Sequence, residues 1–165
     1  MSSGGATTRV ALVALGLLCS ACGSAYQRAY DKEMGTLEQQ QQRVNAQQGA
    51  EYQEASKYAA VIYFPVASAV VDSDGIRQLT WFVDKMRPYP QANFLVQGFA
   101  DSTGAEASNQ QLSLQRAQAV AQVLDSLEIA PGRMTVQGFG TTSAAASNAT
   151  AQGRRDNRRV EVTVR

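Results

Sequence analysis

Apolar residues fall along this chain in two rhythms, one suited to strands and one to helices. Ala60 to Phe64 is a short apolar run rich in β-formers. Pro65 closes it, at a strand end where a missing N–H does least harm. Ile76, Leu79, Val83 and Met86 recur at helical spacing behind Asp72 and Ser73, either of which can cap the helix, and Pro88 and Pro90 stop it. Asn93 to Phe99 reads as a second strand. A polar, glycine-containing loop carrying Asp101 then leads into a second helix, reaching to about Glu128, whose apolar positions are Leu112, Ala119, Val120, Val123, Leu124 and Leu127. Pro131-Gly132 turns the chain into a third strand, Met134 to Phe139, followed by a loop of small residues from Thr141 to Thr150. Arg159 to Arg165 alternates, with Val160, Val162 and Val164 on one face. The order β-α-β-α-β-loop-β predicts an α+β domain. Val96-Gln97-Gly98-Phe99 recurs as Val136-Gln137-Gly138-Phe139, so two strands end alike. The helix between them makes them parallel and brings their loops to one edge of the sheet, a common place for a ligand site.

Arg116 breaks the pattern of the second helix. It lies four residues after Leu112 and just before Ala119 and Val120, on the core-facing stripe. A permanently charged guanidinium is too costly to bury without an anionic partner. Asp101 is the nearest candidate in sequence; alternatively, the two side chains face a ligand bearing charges of both signs.

The first 22 residues have the three parts of an export signal: Arg9 as the only charge, an apolar run from Val10 to Leu18, and small residues before Cys22. The apolar run is too short to span a bilayer as a stable helix. Leu18-Cys19-Ser20-Ala21-Cys22 resembles a bacterial lipobox, which implies cleavage before a lipidated Cys22. Gly23 follows instead of an aspartate, a pattern that implies sorting to the outer membrane. Residues 22–57 then form a polar, glutamine-rich tether. Tyr30, Met34, Leu37, Gln41, Val44 and Gln48 have heptad spacing, but two seam positions are glutamine. A single solvated helix or a partly disordered tether fits this better than a coiled coil. The expected organisation is thus a signal over 1–21, a lipid-anchored tether over 22–57 and a folded domain over 58–165.

Composition narrows the chemistry. The formal net charge is +1, which gives no electrostatic case for nucleic acid. The chain has no histidine, the commonest general base and metal ligand. Both cysteines are N-terminal, so neither a disulfide-stapled core nor a cysteine metal cluster is expected. No enzyme, metal or cofactor is expected. Asp72 and Asp74 read as capping residues rather than a catalytic pair.

A set of motifs resembles one family. They are Tyr63-Phe64, G-F-A-D-S-T-G at 98–104, N-Q-Q-L-S-L-Q-R-A at 109–117, Gly138-Phe139-Gly140, Asn148, and G-R-R-D-N-R-R-V-E at 153–161. Together they resemble the OmpA-like peptidoglycan-binding domain, also found in peptidoglycan-associated lipoproteins. The resemblance implies a βαβαββ domain: a mixed four-stranded sheet with helices on one face. It also implies non-covalent binding of the peptide stem of peptidoglycan, with Asp101 and Arg116 holding the free end of diaminopimelate. An aspartate suits the ammonium of that group and an arginine fork its carboxylate. Asn109 and Leu112 share the Arg116 face and border the expected pocket, and Arg158 is a further candidate contact. The implied setting is the periplasmic side of the outer membrane. A periplasmic or inner-membrane protein partner is the alternative role, as in signalling lipoproteins of this fold. This chain departs from the family at Phe99 and Ala100, where many members have histidine and threonine. It departs also at Pro65, often aspartate, and at Ala67, polar in some members. These changes predict a more apolar pocket edge.

Overall fold

The computed structural model describes residues 20–165. Residues 1–19, which hold most of the expected export signal including Cys19, lie outside the described residues. At Cys22 only the backbone is described, within a helix.

Helix α1 runs from Ser20 to Ala55. The chain divides into two compact units at Gln48 and Gly49. In the first, Tyr26, Tyr30, Met34, Leu37 and Val44 are all exposed, and local pairs such as Gln27 with Asp31 and Gln41 with Asn45 decorate the helix surface. The second unit begins before the expected boundary. The last turns of α1 belong to it, and Ala55 is fully buried within its core.

In that second unit, β1 (Ala60–Tyr63), α2 (Ser73–Met86), β2 (Phe94–Gly98), α3 (Glu106–Ser126), β3 (Met134–Gly138), α4 (Ala151–Asn157) and β4 (Arg159–Val164) follow in order. The sheet order is β1-β4-β2-β3. The expected parallel pairing of β2 and β3 is present, with the repeated motifs in register: Val96 opposite Val136, Gly98 opposite Gly138. Strand β4 lies antiparallel between β1 and β2. Ile62, Phe94, Val96, Val160 and Val162 point to one face, where Leu79 and Phe82 of α2 and Val120 and Leu124 of α3 cover them.

Two details differ from the sequence reading. The buried face of α2 runs through Gly75, Leu79, Phe82 and Met86, whereas Ile76 is 44% exposed. A side chain at Gly75 would press on Ile62 and Val71, so close approach there turns Ile76 to the margin. Asp72 supplies the cap, accepting from Gly75 N at 2.8 Å. Helix α4 was not expected at all. It is short and polar, with a glycine in its middle, so it has no apolar periodicity to read. Thr150 caps it through Gly153 N at 3.0 Å, and a Cβ on Gly153 would collide with the Ser147 carbonyl.

The repeated glycines have a steric reason. A Cβ on Gly98 would overlap the Ser113 carbonyl, and one on Gly138 would come within 2.6 Å of Leu114 N. Helix α3 therefore crosses the ends of β2 and β3 almost backbone to backbone. That contact carries the first turns of α3 over the loops at this sheet edge.

Candidate functional site

Arg116 is buried completely, on the α3 face shared by Asn109, Ser113, Ala117, Val120 and Leu124. The first half of this face is polar or small and the second half apolar, so the helix passes from the sheet edge into the core. The guanidinium donates from Nε to the Ser68 carbonyl at 2.8 Å, from Nη2 to Pro65 at 2.9 Å and from Nη1 to Phe99 at 3.3 Å. Its face lies 5.3 Å from the Phe64 ring centre. Two of the carbonyls come from one turn after β1, where Ala67 takes a left-handed φ of 53° and lets Pro65 and Ser68 converge. Burial, and then the nearby charge of Arg158, pushes the guanidinium down to about 10, with Asp101 opposing; the group stays charged at any physiological pH.

An ion pair between Asp101 and Arg116, one of the two arrangements the sequence left open, is not formed. Asp101 Oδ2 accepts from Arg158 Nη1 at 2.8 Å and its Oδ1 from Thr103 N at 2.9 Å. Carbonyl dipoles meet Arg116 instead, so α3 keeps a buried cation with no carboxylate bonded to it. Burial alone would raise the Asp101 carboxyl, but the Arg158 and Thr103 hydrogen bonds outweigh it and hold the group below the ordinary carboxylate value.

Asp101, Asn109, Leu112, Arg116 and Arg158 all line one cavity of about 140 Å³ at the ends of β1 and β2. Sequence reasoning missed Val66, Thr103 and Ser108 in its wall. Ser108 was open to discovery, being one turn before Leu112 and two before Arg116. Two arginines against one aspartate leave this lining one positive charge in excess. Asn109 is 5% exposed, and its Nδ2 is buried with no hydrogen-bond partner. The cavity thus combines a surplus cation, an idle donor and one carboxylate. It is chemically suited to a small group with an anionic end and an ammonium. A larger groove of about 420 Å³ lies at the opposite strand ends, beside Asn93, Arg133 and Arg165. Its lining has no acidic side chain, and Arg133 is bonded to the Tyr89 and Ala92 carbonyls.

The expected effect of Phe99 on the pocket edge is not seen. Its ring is outside the cavity lining, stacked on Phe139 at 5.4 Å, with the Arg159 guanidinium 4.1 Å from its centre. Only its carbonyl serves the site. Ala100, Val66 and Ala67 supply the apolar wall. Further support comes from the residues around α4. Asn148 Oδ1 accepts from Ser102 N at 3.1 Å and from Asn157 Nδ2 at 2.9 Å, tying the Asp101 loop to the loop before α4. Arg154 donates to the Asn148 carbonyl at 2.8 Å and steadies the same loop.

A four-stranded mixed sheet packed with helices, with a cation-rich cavity in its edge loops, places the chain in the α+β class. The chain belongs to the OmpA family, whose model matches residues 63–158. Over 103 residues it is 38% identical to the probable lipoprotein YiaD of Escherichia coli, covering 62% of this chain and 47% of that protein. Over 81 residues it is 42% identical to the peptidoglycan-binding protein ArfA of Mycobacterium tuberculosis, covering 49% of this chain and 25% of that one. The chain therefore spans less than half the length of these relatives. Among solved structures, the cell wall anchor of the type VI secretion system (T6SS) from Pseudomonas aeruginosa superposes with a TM-score of 0.57 at 36% identity. That match covers 64% of this chain and 79% of the other.

Proposed function

We propose that this chain is an outer-membrane lipoprotein that binds the diaminopimelate-containing stem of peptidoglycan without covalent attachment, tethering membrane to wall. One observation carries the reading. Five residues separated in sequence, Asp101, Asn109, Leu112, Arg116 and Arg158, line a single cavity whose chemistry suits a zwitterion. Asp101 takes the ammonium, while Arg116 and the idle Asn109 amide take the carboxylate; three of the five guanidinium N–H bonds of Arg116 already go to carbonyls. The similarity to a peptidoglycan-binding protein and to a cell wall anchor supports this ligand. The lipobox at Cys22 and the similarity to a probable lipoprotein support the anchor. The first unit, which holds α1 as far as Gln48, supplies the tether.

Co-sedimentation of the full-length protein with diaminopimelate-type sacculi tests the reading. The wild type is expected to pellet, and Asp101→Ala and Arg116→Ala to stay in solution. Normal pelleting of both variants would overturn the site assignment.

A second reading keeps the fold and gives the chain a signalling role through a periplasmic or inner-membrane partner. The exposed Tyr26, Tyr30, Met34, Leu37 and Val44 on α1 favour it. Site-specific crosslinking from those positions distinguishes the two: one reproducible protein adduct supports signalling, and none supports a plain tether.

A further inference from the structure

Arg158 touches the cavity, yet its bonds lead elsewhere. It follows α4 directly and is joined twice to the end of β1. Phe64 N donates to the Arg158 carbonyl at 2.9 Å, and Arg158 Nε donates back to the Phe64 carbonyl at 3.0 Å. Its neighbour Asn157 is fully buried, bonded to both polar groups of Ala146 and to Asn148 Oδ1. The backbone that carries Arg158 is thus fixed on both sides. From that base Nη1 reaches Asp101 Oδ2 at 2.8 Å, with the two side chains 11% and 7% exposed.

We propose that Arg158 is a positioning residue for Asp101, holding its carboxylate ionised and aimed for the ligand's ammonium, rather than a contact to the ligand. The proposal rests on the peptidoglycan reading above. A carboxylate buried like Asp101 tends to take up a proton, and the neutral acid cannot pair with an ammonium. Arg158 opposes this with a charge-assisted bond. The other charge facing Asp101 is Arg116 on α3. The wall formed after β1 contributes only Val66 and Ala67, and the loop after Asp101 contributes Thr103. Glu106, in the first turn of α3, is exposed and outside the lining.

Titration calorimetry with free diaminopimelic acid separates positioning from contact. The full-length protein in detergent is measured from about pH 8 to about pH 3, a range over most of which the ligand's ammonium and α-carboxylate keep their charges and the wild-type Asp101 carboxyl, held below its ordinary value, stays ionised. In Arg158→Gln, affinity at the alkaline end is expected within roughly tenfold of wild type, while the acid midpoint for loss of binding rises by about one pH unit or more. Arg158→Lys, which keeps the charge, is expected to restore most of that midpoint. Affinity lost equally at every pH with an unmoved midpoint would make Arg158 a ligand contact and overturn the proposal. Should Arg158→Gln not fold, the carboxyl carbon resonance of Asp101 in ligand-free Arg158→Lys and wild type carries the test. An Asp101 titration above the usual aspartate value in wild type would overturn it there. A wild type that binds neither this probe nor intact sacculi would remove the peptidoglycan reading, and the proposal with it.

Discussion

Arg116 holds a place that a leucine would normally take, and it does so at a cost. A buried guanidinium gives up water, and no carboxylate bonds to it here; three carbonyls and the face of Phe64 are what it receives. Those carbonyls depend on it in turn, because Pro65, Ser68 and Phe99 would lose a buried donor. Arg116→Lys keeps the charge but cannot span three acceptors with one ammonium. Its expected result is a stability loss of about 1–3 kcal/mol in urea denaturation, together with lost pelleting on sacculi. Asp101 gives a pH signature of its own. Its carboxyl is held below its ordinary value of 3.8 in the folded chain. The unfolded state therefore binds more protons as the solution becomes acidic. The stabilisation from Asp101 is present above that ordinary value and lost as pH falls through the lower, folded one. Asp101→Asn is expected to flatten the acid limb of a plot of stability against pH; an unchanged acid limb would refute the assigned shift.

At the scale of elements, the contact between α3 and the strand ends decides whether the site exists. Gly98→Ala must push the Ser113 backbone away, with an expected cost of about 1–3 kcal/mol and weaker ligand binding, because Arg116 is one turn further along α3. Gly104→Ala is the control. Its added methyl meets open space, and the cost is conformational, about 1 kcal/mol, from a φ of 89°. Thermal unfolding and calorimetry on both variants separate a lost approach from a stiffened loop. Much of this architecture was legible in the chain. The repeated V-Q-G-F motif announced two parallel strands ending together, and the alternation of Val160, Val162 and Val164 announced the strand that lies between β1 and β2. The position of Arg116 on an apolar stripe marked the site. What was not legible depended on contacts between distant residues. The Asp101–Arg158 pair joins a loop after β2 to the start of β4, and sequence proximity favoured Arg116 instead. Phe99 was expected at the pocket because it lies two residues before Asp101, yet its ring stacks on Phe139 beyond the end of β3, a contact between residues far apart in sequence. Helix α4 was hidden by its own composition, since it is held by a cap and by Asn157 rather than by an apolar stripe.

At the scale of the whole molecule, the end of α1 belongs to the folded unit and not to the tether. Ala55 is fully buried among the core residues, and the chain continues through Tyr58, itself packed against that core and edge-on to Trp81 at 6.2 Å. A fragment beginning at Gly49 keeps this turn, while one beginning at Tyr58 loses it and exposes the apolar surface beneath. The two fragments should therefore differ in stability though both retain every residue of the cavity. The expected deficit of the shorter fragment is about 1–2 kcal/mol, from the lost burial of the alanine methyl and its surroundings. Chemical denaturation of the two fragments measures this. Calorimetry with diaminopimelic acid at neutral pH, well below each fragment's unfolding midpoint, should give the same affinity for both. Equal stability would place the last turn of α1 with the tether. Unequal affinity would mean that the tether's end shapes the cavity from a distance, through the strand β1 that it leads into.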